Sequence, residues 1–196
     1  MSKVTVDIGI SADGYGAGPD QSKADPLGKG GEELHRWMFE EAEANKAVIE
    51  GITEAGAFIM GRHMFAPDRG EWDLDWKGWW GDDPPYHAPV FVLGHREREP
   101  VEMEGGTTFH FVTGGIDAAL ERAREAAGEK NVAIAGGVST IQQYLRARHV
   151  DELRLHIAPL LLGAGERLLE DLGDLKLEQL SVSSSKLATH ITYAPR

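Results

Sequence analysis

The sequence predicts an α/β fold in three layers: a mixed, mainly parallel central sheet of about eight strands, flanking helices and a closing antiparallel hairpin. Three observations predict it. Short apolar runs alternate with helical stretches through the middle of the chain. Three strand ends bring glycine together with polar or basic residues: Gly61-Arg62-His63, Gly94-His95-Arg96, and Gly136-Gly137 followed by Ser139. Two strand-like stretches near the end flank a serine-rich turn.

Val4, Val6, Ile8 and Ile10 alternate with Thr5, Asp7 and Gly9, the spacing of a half-buried strand. Ser11-Ala12-Asp13-Gly14 ends it, and Tyr15 to Gly31 is a loop rich in Gly, Asp and Pro. Glu32 to Ala44 reads as one helix with Leu34, Trp37, Met38 and Ala42 inward. A second helix spans Lys46 to Ala55, with Val48, Ile49 and Ile52 inward and Gly56 as its C-cap. Ala57 to Met60 is a short buried strand, and Met64-Phe65 belong to a brief helix after it. Ala66 to Ala88 is loop and holds Trp72, Trp76, Trp79 and Trp80, rings that serve either to pack the loop or to wall a flat ligand or a second subunit.

Val90 to Leu93 and Thr107 to Val112 are strands, and Asp117 to Ala127 is a helix closed by Gly128. The stretch from Asn131 to Ile157 organises the rest. Val132 to Ala135 is a strand, and Gly136-Gly137 is a turn. Ser139 and Gln142 have capping-box spacing at the start of a helix carrying Ile141, Tyr144 and Leu145. Leu153, Leu155 and Ile157 then alternate as a strand. After an apolar, then glycine-rich link over Pro159 to Gly165, the hairpin pairs Leu175–Ser181 with Leu187–Tyr193 around Ser183-Ser184-Ser185.

At 196 residues the chain is expected to form one domain over 1–196. It has no cysteine, which removes disulfides, thiolate metal sites and a cysteine nucleophile, and no metal site is expected. No apolar run approaches the roughly 20 residues that span a bilayer, and the start of the chain lacks a signal-peptide layout, so a cytoplasmic protein is expected. The net charge of −12 argues against nucleic acid or an anionic membrane as partner, but a local basic cluster can still hold a phosphorylated small molecule.

In open α/β sheets ligands bind beyond the strand C-termini. A glycine pair between strand and helix is either an ordinary tight turn or a place where backbone approaches an anion at a helix N-terminus. Three converging strand ends with glycine, two of them carrying Arg and His, favour the second reading. Asp13 is a candidate acid, although Asp-Gly is first of all a turn pair.

The segment Ala57 to Phe65, AFIMGRHMF, resembles the corresponding strand and helix start of dihydrofolate reductases, as do Val132 to Tyr144 and LRLHIAPLLLGAG after it. SADGY, Ser11 to Tyr15, is similar to a Ser-x-Asp-Gly motif of the riboflavin-pathway pyrimidine reductases. The order of elements matches the group combining the two, the riboflavin-type reductase C-terminal domain with the dihydrofolate reductase fold. That resemblance implies NADPH and hydride transfer to a small heterocyclic substrate, as in 5-amino-6-(5-phosphoribosylamino)uracil reductase. The alternatives are a dihydrofolate reductase or a non-catalytic nucleotide-binding protein of the same fold.

The resemblance places Arg62 at the 2′-phosphate of NADPH, His63 at a helix start facing the phosphates, and Gly136, Gly137, Val138 and Ser139 at the pyrophosphate. Gly94, His95 and Arg96 fall beside the adenosine, Ile8 and Gly9 near the carboxamide, and Tyr15 and Gly16 on the loop flanking the nicotinamide. Gly61, Met64, Ala135 and Thr140 complete the implied cofactor set. The acidic residue that dihydrofolate reductases carry on their first helix falls on Glu33, Leu34 or His35, so Glu33 joins Asp13 as a candidate catalytic acid. A homodimer is expected, because the family often pairs and tryptophans favour interfaces.

Overall fold

The computed structural model describes residues 2–68 and 70–196; Met1, and Arg69 within the predicted loop Ala66–Ala88, lie outside the described residues. In chain order the elements are β1 (Val4–Ser11), β2 (Tyr15–Ala17), a 3-10 turn (Gly31–His35), α1 (Arg36–Glu40), α2 (Lys46–Thr53), β3 (Ala57–Gly61) and α3 (Arg62–Phe65). Next come β4 (Pro89–Leu93), β5 (Val101–Glu102), β6 (Thr108–Val112), α4 (Gly115–Ala127), β7 (Val132–Gly136) and α5 (Val138–Arg146). The chain closes with β8 (Glu152–Ala158), β9 (Glu166–Arg167), β10 (Leu177–Ser184) and β11 (Thr189–Pro195).

The main sheet has nine strands in the order β10-β11-β8-β1-β7-β3-β4-β6-β5. Its centre, from β8 to β6, is parallel, and antiparallel strands close both edges. A separate two-stranded sheet pairs β2 with β9, joining two stretches that the sequence reads as loop and link.

Period-two alternation sorts the strands' side chains between two cores. On β3, Ile59 joins Val6, Ile134 and Ile141 under α4 and α5, while Phe58 and Met60 face Phe65, Tyr86 and Phe109 on the opposite side. The tryptophan loop closes that second side. Trp76 Nε1 donates to the Phe65 carbonyl at 2.7 Å and Trp79 Nε1 to the Met64 carbonyl at 2.9 Å, and Trp80 lies 5.7 Å from Phe109 in a stacked arrangement. No helix among the described residues is long and apolar enough to cross a membrane.

Three local expectations are corrected. The helix predicted over Glu32–Ala44 is a 3-10 turn, the five-residue α1 and then turns, and Ala42 is exposed. Tertiary contacts break it. The Asn45 side-chain amide donates to the carbonyls of Trp37 and Glu41, and the Glu41 carboxylate accepts from Leu187 N–H at 2.9 Å, which ties this segment to the β10–β11 turn. Gly56 does not cap α2, whose C-cap is Glu54. Gly56 instead lets the chain pass the end of α4: a Cβ there would lie 2.9 Å from the Ala127 carbonyl oxygen. The hairpin turns two residues later than predicted, with Ser185 N–H donating to the Ala188 carbonyl at 2.9 Å.

Candidate functional site

A cleft of about 810 Å³ opens where two neighbouring strands part. β1 and β7 are paired only from Val4–Val6 to Val132–Ile134, whereas β1 stays paired with β8 as far as Ser11 and Ala158. Beyond Val6, the residues Asp7, Ile8 and Gly9 form one wall, and Ala135 to Thr140 form the other. Gly61–Met64 and Gly94–Arg96, the ends of β3 and β4 with the residues after them, line the same space. Every residue of the expected cofactor set except Tyr15 lines this cleft. Tyr15 instead accepts a hydrogen bond from Arg167 at 3.0 Å, with the guanidinium 4.8 Å from its ring.

Two glycines on the cleft are there for space. Gly136 has φ of 135°, and a Cβ on it would sit 2.9 Å from Met64 Sδ. A Cβ on Gly61 would come within 2.3 Å of Thr140 Oγ1, so this glycine lets α5 seat against the end of β3. The Gly136–Gly137 peptide bond is cis.

The predicted capping box is absent. The N-cap of α5 is Gly137, with φ −71° and ψ −174°, and Ser139 is already the second helical residue. The chain passes from β7 into the helix through Gly137 alone, so the helix begins earlier than the serine. Gln142 is taken up by tertiary structure: its amide donates to the carbonyls of Arg167 and Leu168 at 2.9 and 3.1 Å. Among the described residues no side chain caps the N-terminus of α5, which leaves this end of the helix open to a ligand in the cleft.

The basic side of the cleft is assembled on the tryptophan loop. The guanidinium of Arg62 lies 3.9 Å from the ring centre of Trp72, and its Nη2 donates to the Glu71 carbonyl at 3.1 Å. Arg62 Nε is buried without a hydrogen-bond partner among the described residues. Trp72 Nε1 donates to the Arg96 carbonyl at 3.0 Å, and Arg96 forms an ion pair with the Glu71 carboxylate. Of the four loop tryptophans, Trp79 lines the cleft; its neighbours mainly pack the loop. The loop thus serves in packing and, through Trp79, as cleft wall. A planar, permanently charged group with an unused donor, beside an open helix N-terminus, suits a ligand bearing phosphate.

Neither candidate acid lies on the cleft. Asp13 accepts hydrogen bonds from Ser11 Oγ at 2.5 Å and from the backbone N–H groups of Leu162 and Gly163 at 3.1 and 2.8 Å. The Ser11 hydroxyl above all, with those two amides, pulls its pKa from 3.8 down to about 2. A carboxylate held ionised by three donors is a latch for its turn rather than a proton donor. Glu33 points outward and pairs with Arg36 at 3.1 Å. Of the three alternatives on the first helix, Leu34 is buried in the core and His35 lines the cleft. Burial lowers the pKa of His35, and its Nδ1 has no partner among the described residues.

Asp7 is the carboxylate that sequence reasoning missed. As a polar residue in an alternating strand it reads as solvent-facing, yet that face of β1 packs against the 3-10 turn, and its side chain is only 8% exposed. Its Oδ2 lies 3.4 Å from Arg154 Nη1 and its Oδ1 3.5 Å from His156 Nε2. From there a buried row continues: His156 Nδ1 to His190 Nδ1 at 2.9 Å, and His190 Nε2 to Asn45 Oδ1 at 2.9 Å. Trp37 packs against both imidazoles, with ring centres 5.0 and 4.7 Å away. The signal, invisible strand by strand, was the ionisable residues on the same face of β1, β8 and β11: Asp7, then Arg154 and His156, then His190.

Comparison with known proteins follows the same outline. The model of the RibD C-terminal domain matches residues 2–193. Among solved structures, a candidate riboflavin biosynthesis protein from Shewanella sp. PV-4 superposes with a TM-score of 0.71 at 23% identity, covering 99% of each chain. The riboflavin biosynthesis reductase Rib7 of Saccharomyces cerevisiae gives 0.62 at 14% identity, over 100% of this chain and 90% of that one. A dihydrofolate reductase from Enterococcus faecalis, solved with NADP(H) and RAB-propyl, gives 0.60 at 14% identity, over 98% and 96%. At these identities the likeness is one of fold, and the fold is dihydrofolate reductase-like. Among curated protein sequences no relative matches the chain.

Proposed function

The chain belongs to the family of RibD C-terminal domains, and from this we propose that it is an NADPH-dependent reductase that passes hydride to a small heterocyclic substrate, of the kind turned over in the riboflavin pathway. The observation that carries the reading is the convergence of Gly61–Met64, Gly94–Arg96 and Ala135–Thr140 on one cleft, with Arg62 held against Trp72 at its basic side.

The residues present fit a phosphorylated dinucleotide. Arg62 has a buried, unused Nε donor, and a Cβ on Gly137 would meet nothing nearer than Glu166 Oε2 at 4.0 Å, so backbone and ligand can approach closely there. In this reading Arg62 takes the 2′-phosphate with His63, His95 and Arg96 nearby, and the start of α5 takes the pyrophosphate. When bound, the cofactor supplies hydride from its reduced nicotinamide. Ile8, Gly9 and Gly16 keep the ring against the parting of β1 and β7, where side chains on both walls exclude water. The heterocycle then lies toward His35, Asp7 and Gln21, which line the same cleft.

The dihydrofolate reductase alternative draws less support, because Glu33 lies outside the cleft and His35 takes its place. A homodimer draws support from edge strand β10, whose Leu180 and Val182 are 49% and 58% exposed. Titration with NADPH and with NADH, followed by intrinsic tryptophan fluorescence, tests the cofactor reading. Binding of NADPH at least tenfold tighter than NADH is expected; equal affinities would sink it.

A further inference from the structure

Residues 18–30, between β2 and the 3-10 turn, fold back on themselves. Gly18 N–H donates to the Leu27 carbonyl and Lys29 N–H to the Pro19 carbonyl, both at 2.9 Å, so the two ends of the segment are held together. Its tip is fastened as well. Ser22 N–H donates to the Asp25 carbonyl at 2.9 Å, and the Gln21 amide donates to the Pro26 carbonyl at 2.8 Å. Glycine permits this close pairing: a Cβ on Gly18 would lie 2.1 Å from the Lys29 carbonyl oxygen, and Gly28 and Gly30 hold φ of 70° and 74°. The segment is a compact flap, stiff within itself and joined to the body through glycine.

The flap meets both the cleft and the tryptophan loop. Its Gln21, Pro26 and Leu27 line the cleft, as do Asp68, Gly70 and Trp79 from the other segment. Lys23 ties these two parts of the wall together. Its Nζ lies 2.6 Å from Asp73 Oδ2, 3.3 Å from Asp68 Oδ2 and 5.0 Å from the centre of the Trp76 ring. The far side of the tie is itself anchored. Trp76 is pinned by its Nε1 to the Phe65 carbonyl, and its own carbonyl accepts from Arg98 Nη2 at 2.6 Å. Asp73 directly follows Trp72, the ring beside Arg62.

We propose that the flap is a gate over the cleft and that Lys23 is its latch, closing it onto Asp68, Asp73 and Trp76. The inference rests on the reading that a dinucleotide occupies the cleft. Two carboxylates and an aromatic face around one ammonium hold the flap in a defined place. All of them are partly exposed, so water can replace them and the tie breaks without unfolding anything. The gate opens to pass the dinucleotide and closes behind it. The latch therefore sets the rate of exchange rather than the chemistry of the site.

The sign of the charge separates a latch from a field effect. At a distance Lys23 attracts an anionic dinucleotide and Asp73 repels it, so a field effect makes Lys23→Gln release it faster and Asp73→Asn release it more slowly. A latch makes both faster. Dissociation of NADPH is followed by stopped flow through tryptophan fluorescence. Lys23→Gln should raise the rate about three- to tenfold and Asp73→Asn about twofold, the scale of exposed ion pairs and one cation–π contact. The double variant should release NADPH no faster than Lys23→Gln. An unchanged rate in Lys23→Gln, slower release in Asp73→Asn, or effects that multiply in the double variant overturn the latch.

A second arm needs no cofactor. The chain has no cysteine, so spin labels attach only where Ala24→Cys and Lys77→Cys place them, at exposed positions on the flap and the tryptophan loop. Electron–electron distance measurement on the ligand-free protein should give one narrow distance, and Lys23→Gln should lengthen and broaden it. An unchanged distance with NADPH binding intact overturns the latch alone. Should the distance lengthen while the parent protein fails to bind NADPH, the reductase reading falls, and the gate for that cofactor with it.

Discussion

The guanidinium of Arg62 lies 3.9 Å from the centre of the Trp72 ring, and the same indole donates its N–H to the Arg96 carbonyl at 3.0 Å. One tryptophan therefore orders both arginines at the basic side of the cleft. Arg62→Ala is expected to weaken NADPH binding by about 1.5–3 kcal/mol, the range for hydrogen bonds to charged groups, while NADH binding hardly changes. Trp72→Ala leaves the charge but removes the shelf, and should cost about 0.5–1 kcal/mol. Isothermal titration with both cofactors checks the pair, and equal losses for NADH and NADPH in Arg62→Ala would contradict it.

Gly137 and Gly61 separate a binding effect from a folding one. A Cβ on Gly137 points into open cleft, so Gly137→Val should fold, give a parental circular dichroism spectrum and lose cofactor binding. A Cβ on Gly61 would overlap Thr140 Oγ1 at 2.3 Å, so Gly61→Val should lower the melting temperature as well. Retained NADPH binding in Gly137→Val would make the glycine pair an ordinary turn.

Asp13 has a pH signature. Its pKa is lowered on folding from 3.8 to about 2, so the folded state prefers the ionised form. The stabilisation is present above pH 3.8 and is lost as pH falls towards 2. Asp13→Asn should therefore be less stable than the parent at neutral pH, with the gap closing over that acid window. Urea unfolding at a series of pH values measures it. A gap that stays constant down to pH 2 would remove the latch.

Dihydrofolate should be a poor substrate. Glu33 pairs with Arg36 outside the cleft, and His35 occupies the position facing it. With saturating NADPH, turnover well below the common enzyme range of about 1–10³ per second is expected, and Glu33→Gln should not alter it. Rapid dihydrofolate reduction that disappears in Glu33→Gln would reverse the assignment.

The three parallel-strand ends at the cleft were legible because each is local. Glycine after an apolar run, then Arg or His, encodes a strand end and its charge within a few residues, and strands ending at the same edge of a parallel sheet must converge. Gly61-Arg62-His63, Gly94-His95-Arg96 and Gly136-Gly137 were read this way, and all line the cleft. Where the helices begin and end was less legible. Ser139 has the chemistry of an N-cap, but the backbone enters α5 at Gly137, and Gln142 is claimed by the β9 segment. The predicted helix Glu32–Ala44 yields to hydrogen bonds with the distant hairpin turn, one donated by the Asn45 amide to Ser185 and one accepted by the Glu41 carboxylate from Leu187 N–H.

What the chain's order alone determined is the alternation of its elements, the basic junctions and the glycines that leave room beside them, because periodicity, turn chemistry and charge act over a few residues. What only the tertiary structure decided is which polar residues are buried together. Asp7, Asn45, His156 and His190 stand far apart in sequence, and each is individually unremarkable on a strand or at a helix end. The sheet order β11-β8-β1 sets three of them side by side, and the N-cap position of α2 brings Asn45 to His190. Burial then removes water as their partner, so His156, His190 and Asn45 bond to one another, a requirement that appears only once the strands are assembled.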